Sequence, residues 1–147
     1  MTEQELWRCI ERAAWAAGPG VHIVRVENSL EWGFPDLDFC IAGYAGKLEL
    51  KANRAWPKNP DAIVPCRGFT PQQRLWLARR VIAGGAVGLL WVVGWDILLF
   101  TEDFGCIGTS TRDALYQSAA WSASRRRSKQ GWAYQLLDVL SDMREAK

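Results

Sequence analysis

A chain of 147 residues that is 49% hydrophobic and carries nine tryptophans and a net charge of +2 is long enough for one domain with a real core and too apolar for disorder. The longest nearly uncharged run, Val81 to Trp95, contains four glycines and stops at Asp96. It is shorter than the roughly 20 apolar residues of a bilayer span, and no basic-then-apolar leader opens the chain, so an unprocessed cytoplasmic protein with no membrane partner is expected.

In chain order, Thr2 caps a helix running to about Ala17, ended by Gly18-Pro19-Gly20. Leu6, Trp7, Ile10, Ala13, Ala14 and Ala17 form its core face, and Glu3 lies within that stripe one turn earlier. A carboxylate aimed inward needs a partner, either helix-end amides, a cation or water. Val21 to Glu27 alternates as a strand with Val21, Ile23 and Arg25 on one side, and Asn28 to Gly33 is a loop leading into Pro35.

The next stretch reads as a β-hairpin. Asp36 and Asp38 share one face of the first strand, opposite Leu37, Phe39 and Ile41. Lys47, Glu49 and Lys51 share one face of the second, opposite Leu48 and Leu50, with the reversal assigned to Gly43-Tyr44-Ala45-Gly46. If the two charged faces coincide, carboxylates and an ammonium converge. A hard divalent cation such as Mg²⁺ takes oxygen ligands from one or two carboxylates and keeps its waters. The competing reading of Glu49-Leu50-Lys51 is the solvated face of an edge strand.

Asn53 to Phe69 is a long connector with three prolines, Arg54, Lys58 and Arg67. Such segments are functional or mobile, and Trp56 either stacks on a base or pins the loop. Thr70-Pro71-Gln72-Gln73 opens a second helix with a capping box, followed by Leu75, Trp76, Arg79 and Ile82 and closed by Gly84-Gly85. Ala86 to Val93 reads as a buried strand and Asp96 to Phe100 as its hairpin partner across Gly94-Trp95. Thr111 is expected to cap a helix through Trp121. Gln130 to Arg144 is expected to be helical with Trp132, Leu136, Leu137 and Leu140 on one side.

Charge is unevenly spread. Residues 1–46 carry three basic and seven acidic side chains, residues 47–80 eight and two, and residues 81–147 seven of each. Lys47, Arg54, Lys58 and Arg67, with the later run Arg125-Arg126-Arg127-Ser128-Lys129, are therefore candidate phosphate contacts, against the alternative of ordinary solvated charge. Cys9, Cys40, Cys66 and Cys106 lack paired spacing and His22 is alone, which disfavours a zinc site.

Pro35-Asp36 followed by Glu49-Leu50-Lys51 resembles the signature of the PD-(D/E)XK nuclease superfamily, and Gly33-Phe34-Pro35-Asp36-Leu37 is similar to its short stand-alone VRR-NUC branch. The resemblance covers about residues 2–101 and implies a restriction-endonuclease-like αβββαβ core, a mixed sheet flanked by helices, with a C-terminal helical extension at about 111–145 in one nuclease domain. It implies a Mg²⁺- or Mn²⁺-dependent endonuclease of a bacterial or phage-infected cell, its metal held by Asp36, Glu49 and the carbonyl of Leu50. The opening Thr2-Glu3, Leu6-Trp7 is similar to short phage members, whose first-helix glutamate contributes to the metal site, so Glu3 joins the set; a first-turn dipole partner is the other reading. The second helix resembles one whose glutamine sits near the active centre, making Gln73 both a cap and a site candidate. Lys51 beside carboxylates stays charged and suits electrostatic stabilisation. Relatives similar to Holliday junction resolvases imply branched DNA and a homodimer. A flap or nicking nuclease, a catalytically silent nucleic-acid-binding module and a purely structural α/β protein remain as alternatives.

Overall fold

The computed structural model describes residues 1–28, 30–127 and 129–143. Ser29, Ser128 and Arg144, assigned above to a loop, a basic run and the last helix, lie outside the described residues. In chain order the elements are α1 (Glu3–Ala17), β1 (Val21–Arg25), β2 (Leu37–Ile41), β3 (Tyr44–Asn53), α2 (Pro71–Ile82), β4 (Val87–Val93), β5 (Asp96–Phe100), a 3-10 turn (Phe104–Cys106), α3 (Arg112–Ser118), β6 (Trp121–Ser124) and α4 (Gly131–Asp142). The first six follow the expected αβββαβ order.

The strands form one six-stranded mixed sheet in the order β1-β2-β3-β4-β5-β6. Only β3 and β4 are parallel, because a parallel neighbour needs a crossover, here α2. Successive side chains alternate between two cores. Leu48 and Leu50 of β3 and Leu90 and Val92 of β4 pack with Leu6, Trp7 and Ile10 of α1 and Trp132, Leu136 and Leu140 of α4. Leu89, Trp91 and Val93 pack with Leu77 of α2, Leu115 of α3 and Phe104 of the 3-10 turn. The α/β fold class is thus a sheet with helices on both faces.

Local chemistry accounts for the helix ends. Thr2 and Glu5 close a capping box at α1, and Thr70 and Gln73 another at α2 with Pro71 in the first turn. The expected core face of α1 is buried except at its frayed end, Ala17, which is exposed. In α2 the buried residue is Leu77, while Leu75 and Ile82 face outward.

Three other assignments change. The hairpin reverses at Ala42-Gly43, not across Gly43 to Gly46, since Ile41 pairs directly with Tyr44. Both turn residues have positive φ, 50° and 83°, as a two-residue type I′ turn demands. In β1 only Ile23 is buried, and Arg25 is exposed and donates to Gln4 of α1. The helix capped by Thr111 stops at Ser118, because Ala119 turns to extended backbone and the Ala120 N–H donates to the Leu99 carbonyl. Trp121 then opens a strand along β5, satisfying backbone groups that an unpaired edge would leave bare. The C-terminal extension is therefore two helices with a sheet strand between them.

Ala42 adopts a left-handed conformation that costs an L-residue about 1 kcal/mol or more. Ala42→Asn, which provides the Asn-Gly pair that type I′ turns favour, is expected to raise the urea midpoint by the equivalent of about 0.5–1 kcal/mol. A lower midpoint would show that the turn has another geometry.

Candidate active site

The site forms where β2 and β3 part company. Their ladder ends with Leu37 opposite Leu48; continuing that register would set Pro35 opposite Leu50. Proline has no N–H to give, and the Leu50 N–H is instead accepted by Asp36 Oδ2 at 2.8 Å. A strand residue turns its N–H and C=O to the same neighbour, so the Leu50 carbonyl faces the same gap.

Glu49 and Lys51 follow on the side of β3 opposite Leu48 and Leu50. Both are buried, at 1% and 5% exposure, because β3 lies inside the sheet rather than at its edge. That removes the solvated-edge reading of this strand. Lys51 Nζ pairs with Glu49 Oε1 at 2.9 Å. The other carboxylate oxygen of Glu49, Oε2, has no hydrogen-bond partner among the described residues. Glu3, from the start of α1, brings Oε1 to 4.0 Å from Lys51 Nζ and stays partly exposed.

The electrostatics follow from burial. Loss of solvent, reinforced by the Asp36 charge, pushes the Glu49 carboxyl up to about 8 against the pull of Lys51. Glu3 is raised for the same two reasons, opposed by Lys51 and Arg25. Burial disfavours the Lys51 ammonium, but Glu49, then Glu3 and Asp36, outweigh it and the net shift is upward. Lys51 is a cation at neutral pH.

Among the described residues no group of three or more His, Cys, Asp or Glu side chains closes into a metal cage. Asp36, Glu49 and Lys51 converge, and Glu3 stands at the edge of that group, 4.0 Å from Lys51 and near enough to Asp36 to feel its charge. The donor chemistry nevertheless fits a hard divalent ion: oxygen donors only, two carboxylates, and on buried Glu49 an oxygen, Oε2, that no donor satisfies among the described residues. Asp38 is not part of the group. Its carboxylate pairs with Lys47 across the strands at 2.7 Å.

The remaining candidates divide. Gln73 spends its side-chain oxygen on the Thr70 N–H, and the helix start it caps packs against Gly33, where an added Cβ would lie 2.5 Å from the Gln72 carbonyl carbon. Arg125 donates to the Gly94 carbonyl and lies over the Trp95 ring, as does Arg126. Arg54, Lys58, Arg67, Arg127 and Lys129 are exposed.

Sequence reading passed over Asn53 and Cys66. Buried Asn53 donates to the Pro65 carbonyl at 2.6 Å and accepts from Arg67 N–H and Trp91 Nε1, stapling the long connector to the end of β3. Trp56 pins the same connector through Nε1 to Asp96 Oδ2 at 2.7 Å. Cys66 thereby lies close enough to Lys51 and Glu49 for their charges to act on its thiol, which burial pushes up to about 12. A polar residue ending an alternating strand just before a long loop was the available signal for Asn53; Cys66 had none.

No protein-family model matches the chain, and no curated protein matches it either. Among solved structures, the chain is similar to Hjc, a Holliday junction resolvase from the archaeal hyperthermophile Archaeoglobus fulgidus, with a TM-score of 0.42 and 15% identity over 67% of this chain and 72% of that one.

Proposed function

We propose that this chain is a divalent-metal-dependent endonuclease that hydrolyses DNA phosphodiester bonds, with branched DNA as its substrate and a homodimer as its working form. The observation that carries the reading is Glu49: a fully buried carboxylate paired on one oxygen with a charged Lys51, with no partner for the other oxygen among the described residues, and beside Asp36 at a break in the sheet. A carboxylate that served only the fold would have its oxygens satisfied.

In this reading Asp36, Glu49 and the Leu50 carbonyl hold Mg²⁺ or Mn²⁺, and Glu3 extends the set. When bound, the ion polarises a phosphate oxygen and acidifies water. Asp36 is oriented for the task by the Leu50 N–H, which occupies one of its oxygens and leaves the other available. Lys51 remains protonated, so it is not a free-amine base; it stabilises negative charge developing on the phosphate. Gln73 has its amide nitrogen left to face substrate, its oxygen being used in the cap. Exposed Arg54, Lys58, Arg67, Arg126, Arg127 and Lys129 contact phosphates, whereas Lys47 and Arg125 contribute less because Asp38 and Gly94 already engage them.

Asp36→Ala, Glu49→Ala and Lys51→Ala are each expected to reduce Mg²⁺-dependent cleavage of four-way or flapped DNA by about 10²–10³-fold while the far-UV circular dichroism is unchanged. Asp38→Asn should stay within a few-fold of the parent. Full activity in any of the first three would refute the assignment. Chelation by EDTA should abolish cleavage and spare DNA binding.

A carboxyl with a folded pKa near 8 and an ordinary value of 4.5 binds its proton more tightly in the folded protein. Its contribution to stability is complete below about pH 4.5 and is lost as pH rises through about 8. In EDTA the Tm is therefore expected to fall between pH 5 and 8, by at least the about 2–4 °C that 1 kcal/mol represents in a chain of this size. Glu49→Gln should flatten that fall. Millimolar Mg²⁺ should raise the Tm more at pH 8 than at pH 5.5, because the ion displaces the proton. Equal Mg²⁺ shifts at both values would argue against Glu49 as a ligand.

A further inference from the structure

The loop ahead of Asp36 is built in two parts of opposite character. Its end is locked: Gly33 adopts a φ of 82° and sits so close to the first turn of α2 that any side chain would collide with Gln72 and Gln73. Phe34 adds an edge-on contact with Trp76 at 5.1 Å. Its middle is shaped by Asn28, whose side-chain oxygen accepts from the Leu30 and Glu31 N–H groups. Yet the loop presents Leu30 and Trp32 to solvent at 93% and 78% exposure. The two side chains make an exposed apolar pair beside the docked end of the loop.

Trp32 lines a groove of about 450 Å³ together with Glu31 and, from α2, Trp76, Leu75, Arg79 and Arg80. That volume is within the range of small-molecule clefts, about 300–1,000 Å³. Its surfaces combine two indoles, one of them already stacked by the Arg80 guanidinium at 4.5 Å, with two cations and one carboxylate. Aromatic faces take nucleobases, arginines take the flanking phosphates, and a carboxylate accepts from the exocyclic amino group of a base whose pairing edge is free. A paired base inside a duplex offers none of its face to such a groove. Asp36 is four positions after Trp32, a reach of at most about 14 Å, or about four nucleotide steps of 3.4 Å along a strand.

We infer that this groove receives an unpaired nucleobase beside the scissile phosphate, so that the substrate class is DNA with a single-stranded segment next to the cut. The inference rests on the nuclease reading for its ligand, and its test is independent of catalysis. Binding is measured in EDTA by fluorescence anisotropy, using a labelled Y-fork with two single-stranded arms and a fully paired duplex of equal length. The parent protein should prefer the fork. Trp32→Ala, a change at an exposed position that the core does not feel, should weaken fork binding about tenfold or more and leave duplex binding within twofold. Trp32→Phe, which keeps a stacking face, should retain most of the preference. Unchanged fork binding in Trp32→Ala, or equal loss on fork and duplex, would overturn the inference. If the parent cleaves no DNA with Mg²⁺ while the Trp32→Ala loss on the fork is seen, the metal-site reading fails and the groove stands; if it cleaves and Trp32→Ala binds the fork normally, the groove alone fails.

Discussion

The interaction on which the site depends is the hydrogen bond from the Leu50 N–H to the Asp36 carboxylate, made where Pro35 cannot continue the sheet. A β-ladder satisfies every backbone group and leaves no opening for chemistry. Proline at this position removes one donor, and an aspartate side chain takes over the acceptor role that the neighbouring strand would have played. The same substitution of side chain for backbone ties Asp36 to β3, beside Glu49 and Lys51. The missing N–H leaves the Leu50 carbonyl without its strand donor, and the Leu50 N–H orients the carboxylate that faces the gap.

Placing this arrangement on a central strand has an electrostatic consequence. β3 is covered by β2 and β4 at its sides and by α1 and α4 over its Leu48 and Leu50 face, with Cys66 of the connector near the other, so Glu49 and Lys51 lie in a medium that disfavours charge. Burial raises the Glu49 carboxyl, and the Lys51 ammonium offsets only part of that effect. The pair is tolerated because each supports the other's charged form, and a cation among the oxygens would complete the compensation. The surrounding structure is correspondingly stiff: the α2 capping box, the close seat of Gly33 on it, and the Asn53 and Trp56 hydrogen bonds to the connector hold the chain on three sides of the group. Only the tip of the loop before Asp36 is left outside, with its indole in water.

Counting charges along a chain overstates the surface available to a polyanion. Lys47 and Arg125 are engaged within the fold, by Asp38 and by the Gly94 carbonyl. Arg74, in the most basic third of the chain, donates to the Phe104 and Ile107 carbonyls and stacks on Phe69. Arginine serves readily in such structural roles because its planar fork can satisfy several carbonyls at once. The cations left exposed include Arg54, Lys58 and Arg67 of the connector, Arg126 and Arg127 after β6, and Arg79 and Arg80 on the outer face of α2.

What the amino-acid order determined by itself was everything decided within a few residues. The capping boxes at Thr2 and Thr70 involve only positions three apart, the alternation of Leu48, Glu49, Leu50 and Lys51 follows from strand geometry, and the apolar run of β4 had to be buried wherever it went. Those local rules sufficed for the αβββαβ order and for putting Asp36 and Asp38 on one face of the first hairpin strand and Lys47, Glu49 and Lys51 on one face of the second; singling out Asp36, Glu49 and Lys51 took the family resemblance. Tertiary structure decided that Leu77 of α2 turned inward while Leu75 and Ile82 faced out, that the chain after Ser118 would pair with the open edge of β5, and that Cys66 would end beside Lys51. It also decided the protonation of Glu49, since desolvation is a property of what surrounds a residue and not of its neighbours in the chain. Each of these depends on contacts between segments far apart in the chain, whose choice rests on the energy of the whole packing, and a local pattern carries no record of that.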